Sequence, residues 1–475
     1  MSGQKKLMHL SQFTKISGFF CTALLCSVSL FSNNLDAEQK ALPTMGDFYK
    51  ILTYTYENNP DLSSAVIDQR ITAEGVPKAL SGWRPSFDLK GSHSNTKTER
   101  PASARSRKQE GSDSGQAVAT YNLYEGGRTV SSVRAAKASV KAGFAGFAAK
   151  EQSILFEAAQ AYFQLLKAIS EVKVNTVQEL RLKKQLDSIK TQAEIGEKSQ
   201  VDLEEARTDY VKSINRRLIA EQNVELRKAL FTQITQVVPD VSKMTLPVFP
   251  NNLFPKTLEE ATQMASTMNP GIIQARETIT SRQESIGIAR ASLLPRVDVS
   301  ASARKTRATM MSQNQYQSMV EVSVPLYGKG GADWSDLRKT TEEKAKSKRE
   351  FVVQRAKFVR EAAEAWAQWS SAKKQIPYWK TQIKSAKILV DGRRQEYKAG
   401  EKVLLAVTEA EDKLIQAEVG LLNAAQDESI QACRLLTSIG RFSANAMNLP
   451  VNRHQVESHY NKVKNKWIGG TNHAN

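Results

Sequence analysis

Hydrophobic positions along the chain recur with two different periods. Ile154, Ala158, Ala161, Leu165, Ala168 and Val172 follow one another in alternating steps of four and three residues. That is the seam of a coiled coil, and its many alanines let neighbouring helices approach closely. Phe358, Ala362, Ala365, Trp369, Ala372 and Ile376 repeat the spacing. Each seam sits in a segment that runs from a Gly-Gly pair to a glycine, Gly196 or Gly400, about 70 residues and so roughly 105 Å as helix. Pro377 falls inside the second segment and is expected to bend it locally. Beyond the second glycine another seam follows, through Val403, Val407, Ala410, Leu414, Ala417, Leu421 and Ala424. Its counterpart over 201–220 is more polar and less regular.

Elsewhere the period becomes two. Phe87 and Leu89 alternate with Asp88 and Lys90, and Val118 and Tyr121 lie on the return. Val297 and Val299 alternate with Asp298 and Ser300, and Val320, Val322, Val324 and Leu326 with Glu321, Ser323 and Pro325. Alternation of this kind predicts strands with one apolar and one polar face, paired over 86–124 and over 296–327. The polar segments between them, 99–115 (which includes Arg105) and 304–315, are rich in Arg, Lys and Ser and are expected to be loops.

The landmarks come twice and in one order. Asn59 and Pro60 recur as Asn269 and Pro270, and Pro85 as Pro295, at an offset of 210 residues. Leu123 and Tyr124 recur as Leu326 and Tyr327, and Gly196 as Gly400, at offsets of 203 to 204. The drift falls between Pro85 and Leu123, where a surface loop tolerates it. The expected organisation is a first repeat over 38–240, a linker over 241–255, a second repeat over 256–442 and a polar basic tail over 443–475. Each repeat reads helix, strand, polar segment, strand, long helix, glycine turn, helix.

Composition agrees with long helices in contact with water, since only 7% of the 475 residues are aromatic. Lys5, Lys6 and Lys15 precede an apolar run over 16–31, and Ala37 offers a small residue at a plausible cut, so 1–37 is expected to be an export signal. At about 16 residues the run is short for a membrane span. Leu25 and Phe20 stand where a lipid-anchor motif has a small residue. Cys21 and Cys26 leave with the signal, and Cys433 alone cannot form an internal disulfide. The formal charge of +18 is spread along helices and mixed with Glu, as over 341–360, which reads as solvated helix faces and not as a nucleic-acid surface. No zinc pattern, nucleophile elbow or phosphate loop is present, and the five histidines, His9, His93, His454, His459 and His473, form no constellation. No enzyme activity, cofactor or metal is expected.

Four strands with an apolar face cannot close a barrel, and open edges are excluded from lipid. Three chains would supply twelve strands, within the range of outer-membrane barrels, and would gather their long helices into a tube. The expected fold is therefore mainly α with a β part: a long coiled-coil α-helical barrel plus a transmembrane β-barrel, built from two repeats and closed by trimerisation.

Over about 42–442 the chain resembles the TolC family of outer-membrane efflux and secretion proteins. The carriers are the two Asn-Pro…Pro units, the two Leu-Tyr-x-Gly motifs opening long helices, and the glycine turns at Gly196 and Gly400. The resemblance implies a homotrimer in outer-membrane lipid that extends into the periplasm. It also implies docking to an inner-membrane pump through a periplasmic adaptor (membrane fusion protein), in a tripartite efflux pump or a type I secretion system. In the family, helix pairs at the glycine turns close the tunnel mouth. By motif match Asp202 is the gate carboxylate, Tyr397 the gate tyrosine, and Lys402 stands where an arginine often occurs, losing its planar fork. Two acidic rings of better-known members map to Ala406 and Glu409, so one ring is missing. The rival expectation is a periplasmic adaptor or a structural coiled-coil protein of an export complex, which would carry one hairpin or no strands.

Overall fold

The computed structural model describes residues 42–98, 108–308, 311–451 and 456–470. The signal expected over 1–37, Arg105, His454 and His473 lie outside them. From Thr44 onward the chain forms one unit. Its first half runs β1 (Thr44–Met45), α1 (Phe48–Asn58), α2 (Pro60–Ala73), α3 (Gly75–Leu80), β2 (Ser86–Thr98), β3 (Lys108–Glu125), α4 (Arg128–Glu194) and α5 (Gln200–Thr235). Its second runs β4 (Val238–Pro239), α6 (Leu258–Met268), α7 (Pro270–Ala291), β5 (Arg296–Ala308), β6 (Met311–Ser323), α8 (Ala332–Lys398), α9 (Leu404–Ser438) and α10 (Val456–Val463).

The Asn-Pro pairs have a double role. The Asn59 side chain accepts from the amides of Asp61 and Leu62, capping α2, while Pro60 occupies a first-turn position that needs no donor. Asn59 Nδ2 then donates to Ile234 O at 3.0 Å, stitching the start of α2 to the end of α5. Asn269 does the same in the other half, accepting from Gly271 N and donating to Ser438 O at 2.8 Å.

α4 and α8 are each 67 residues long. α4 packs on α5, α7 and α9, and α8 on α9 and α7. The predicted seams are largely buried: Ile154, Ala158, Ala161, Leu165 and Ala168 on α4, Ala362, Ala365 and Ala372 on α8, and Val407, Ala410, Leu414, Ala417 and Ala424 on α9. Val403, by contrast, is the exposed N-cap of α9, and its neighbour Leu404 is the buried residue. α8 runs as helix through Pro377. Gly196 and Gly400 close the hairpin turns at φ of 80° and 78°, a backbone that a side chain would strain.

The main core gathers Phe48, Tyr162, Phe163, Phe231, Leu435 and Phe442. It also takes in Met244 and Leu253 from the expected linker and Ala444, Met447 and Leu449 from the expected tail, so both segments are packed structure over these positions. Tyr162 anchors the linker: its hydroxyl donates to Thr245 O at 2.7 Å, and burial pushes its pKa up to about 12.

The larger sheet has the order β2-β3-β5-β6, antiparallel throughout, with β2 and β6 at its edges. Two expectations need correction. Residues 108–115, 304–308 and 311–315, read above as loop, are strand. The ladder continues past the apolar stretch because polar side chains pair across it, with Ser92 and Ser114 hydroxyls 2.8 Å apart and Arg304 donating to Gln116 at 2.7 Å. At the other end β6 stops at Ser323, so Val324 and Leu326 are not strand; Pro325 lacks the donor a ladder needs.

Candidate functional site

Two regions carry the residues on which a function could rest. The first is the end of the molecule where both hairpins turn. Asp202 lies in the first turn of α5, and its carboxylate is engaged in a capping box: it accepts from Ser199 N at 3.2 Å and Ser199 Oγ at 2.8 Å, while Asp202 N donates to Ser199 Oγ. Tyr397 lies at the end of α8 and packs with Leu186 and Leu203 against a small cluster of Ile189, Ala206 and Leu404. This cluster joins the two hairpins. Lys198 Nζ sits 4.0 Å from the centre of the Tyr397 ring, a cation–π contact across the same gap. The Tyr397 hydroxyl is buried with no hydrogen-bond partner among the described residues. Lys402 and Glu409 are exposed. Among the described residues, Tyr397 is thus brought to the junction of the hairpins, and no hydrogen bond links Asp202 to Tyr397 or Lys402 within one chain.

Other side chains bridge the gap, and sequence reasoning missed them. Thr408 Oγ1 on α9 donates to Asp209 Oδ2 on α5 at 3.1 Å. One turn on, Arg216 Nη1 donates to Asp412 Oδ1 at 3.2 Å. The signal was available: Asp202, Asp209 and Arg216 stand seven residues apart, a polar stripe along α5. Glu205 lies beside this stripe; its pKa is raised by burial and by the carboxylates of Asp209 and Asp202, and lowered in part by Lys212. Within the inner hairpin, Arg394 on α8 donates to Glu411 on α9, whose side chain is only 1% exposed.

The second region is one face of the sheet. Register aligns Leu89, Ala117, Ala303 and Tyr316 in one cross-strand row, and Phe87, Ala119, Ala301 and Ser318 in the next. Tyr121, Val299 and Val320 form a third row, with Val297 and Val322 beyond it. Phe87, Leu89 and Tyr316 are 78%, 87% and 80% exposed. Val118 belongs to the opposite, polar face, in a row with Asp88, Ser302 and Gln317. A two-residue period carries neighbours such as Val118 and Ala119 to opposite sides, which the sequence alone did not resolve across the register shift between Asn122 and Tyr124. This face therefore presents large apolar side chains that no described residue covers. Among the described residues no helix is long and apolar enough to cross a membrane, and no cluster of three or more His, Cys, Asp or Glu could hold a metal.

Known proteins share this arrangement. The outer membrane efflux protein BepC of Brucella suis is 26% identical over 457 residues, covering 94% of this chain and 97% of that protein. The outer membrane protein TolC of Escherichia coli is 22% identical, covering 83% of each. The Campylobacter jejuni CmeC outer membrane channel superimposes with a TM-score of 0.73 at 17% identity, covering 88% of this chain and 89% of that one. A family model described as outer membrane efflux protein matches residues 53–231 and 261–441, taking in both long hairpins. The chain is a non-enzymatic outer-membrane protein, and it belongs to the outer membrane efflux protein family.

Proposed function

We propose that three copies of this chain form one exit duct, a β-barrel in the outer membrane continued by an α-helical tunnel through the periplasm. It passes substrates on from an inner-membrane pump, joined to it by a periplasmic adaptor, in a tripartite efflux pump or a type I secretion system. In this reading 1–37 is a cleaved export signal, and the two repeats contribute equal shares of barrel and tunnel. The observation that carries it is the open sheet. Among the described residues its edge strands β2 and β6 have no outer partners, and its apolar face is bare to solvent. Lipid excludes unpaired edges and water disfavours that face. Closure with neighbouring copies inside a membrane answers both.

The hairpin ends are then the periplasmic mouth, turned at Gly196 and Gly400 and gated by Asp202, Tyr397 and Lys402. The unpartnered Tyr397 hydroxyl and the exposed Lys402 are available for such links. Glu409 supplies the remaining acidic ring. The purified protein should migrate as a trimer in mild detergent and conduct in planar bilayers. Asp202→Asn preserves a cap but removes the charge; combined with Tyr397→Phe it should raise single-channel conductance with the trimer intact. A stable folded monomer would rule out the shared barrel, and unchanged conductance in the double variant would remove these residues from the gate.

A further inference from the structure

The C-terminal segment is unexplained by a duct. α10 packs on α2, with Val456 and Val463 buried. Its Tyr460 ring meets Phe144 of α4 edge-on, 6.1 Å between centres. Phe144 is about 24 Å along α4 from its first residue. Seven residues later Trp467 has reached the other end of that distance: its ring lies 4.7 Å from the Arg84 guanidinium, and Arg84 Nη1 donates to Lys466 O at 2.9 Å. Arg84 stands two residues before β2 begins. The segment thus climbs the helical part and is fastened where the helices give way to strands.

What it delivers there is amphipathic. Trp467 and Ile468 are 66% and 89% exposed, and none of the described residues covers them. Residues 456–470 hold three lysines against one acid, Glu457, and Lys462 and Lys466 are exposed. The same junction carries exposed Trp83, Tyr124, Tyr327 and Trp334, the residue types that favour a membrane–water boundary. Trp467 continues that set, one strand-start away from the bare apolar face of Phe87 and Leu89.

We propose that residues 462–468 form a foot on the periplasm-facing leaflet, with Trp467 and Ile468 in the headgroup–acyl boundary and Lys462 and Lys466 against lipid phosphates. The bound partner is an anionic phospholipid surface. Aromatic and aliphatic tips beside basic residues suit that boundary, where apolar burial and charge attraction add. Arg84, stacked on the Trp467 ring, holds the foot at the right height. This inference rests on the membrane reading of the sheet given above.

The test uses Ile468→Cys labelled with a polarity-sensitive fluorophore, since Cys433 is buried in the folded chain. Labelled trimers are reconstituted into vesicles of phosphatidylcholine alone or with one-third phosphatidylglycerol, and conductance is recorded on the same sample. The expected result is a blue-shifted emission, quenched by acyl-brominated lipid, with brominated phosphatidylglycerol the better quencher. Lys462→Gln and Lys466→Gln should each lower the preference for the anionic lipid by about fivefold at low salt. Channels that conduct while the probe stays open to aqueous iodide in both vesicles would overturn the foot alone. A probe already shielded in detergent and indifferent to lipid would assign the segment to a neighbouring subunit and overturn it as well. Absence of channels would remove the membrane reading and the foot together.

Discussion

At the scale of single residues, the hairpin mouth is held by many weak links and not by one strong one. The Arg216–Asp412 pair is about half exposed on both sides, and such pairs contribute at most about 1 kcal/mol. The Asp209–Thr408 bond adds a comparable amount. Electrostatics at this mouth has a definite pH direction. Glu205 has its pKa raised, chiefly by burial and then by Asp209 and Asp202, with Lys212 opposing the shift, so protonation is easier here than for a free carboxyl group. Its contribution to the packing of this conformation is fully present below the ordinary carboxylate pKa and is lost as pH rises through the raised value. With this packing as the closed form of the gate proposed above, acidification into the carboxylate range should lengthen closed times in single-channel recordings. Glu205→Gln should flatten that dependence; a pH response unaltered in the variant would assign it to other groups. The residues proposed for the gate were legible only as types and spacings. A motif match placed Tyr397 and Asp202 near their glycine turns, but it could not foresee that Ser199, three residues before Asp202, would draw its carboxylate into a capping box.

Elements were legible in proportion to how strongly burial constrains them. The α4 and α8 seams could be read because a buried face of a long helix must repeat at three and four residues. The outer strand ends could not, because Ser92, Asp113, Arg304 and Gln116 face water on a ladder held by backbone and cross-strand bonds, which leaves no apolar period. Nor could the core position of Met447 and Leu449 be read from a stretch that is polar on average. The inner hairpin shows what periodicity hides. Glu411 lies on the buried side of α9, one residue after the seam alanine Ala410, and is paired with Arg394 of α8. Removing one partner strands a buried charge, whereas replacing both by apolar groups is near neutral. Arg394→Ala should thus lower stability by about 2–3 kcal/mol per chain in chemical unfolding, discounted for the partial exposure of Arg394. The double variant Arg394→Leu with Glu411→Leu should recover most of that loss; failure to recover would mean the pair does more than neutralise itself.

For the whole molecule, the sheet is open at β2 and β6 among the described residues. β5 and β6 each have 13 residues, roughly 44 Å of strand, whereas the apolar rows span about 25 Å, the height of an outer-membrane apolar band. The strands are thus long enough to cross a bilayer and stand clear of it on the polar side. Along an edge strand, alternate residues turn their backbone groups inward to the neighbouring strand and outward to whatever lies beyond. In an open sheet, outward groups bond only water, so proline is tolerated at every second position of the edge. In a closed trimer both kinds of position are occupied, inward ones by β5 and outward ones by β2 of the next copy. Met319 and Val320 are adjacent on β6, and therefore one of each kind. Met319→Pro and Val320→Pro, made separately, should both lower the temperature at which the trimer dissociates in detergent gels. The inward substitution breaks the ladder within a chain and the outward one breaks it between chains. If one of the two proves neutral, the outward groups of β6 have no partner, and the barrel does not close through that edge.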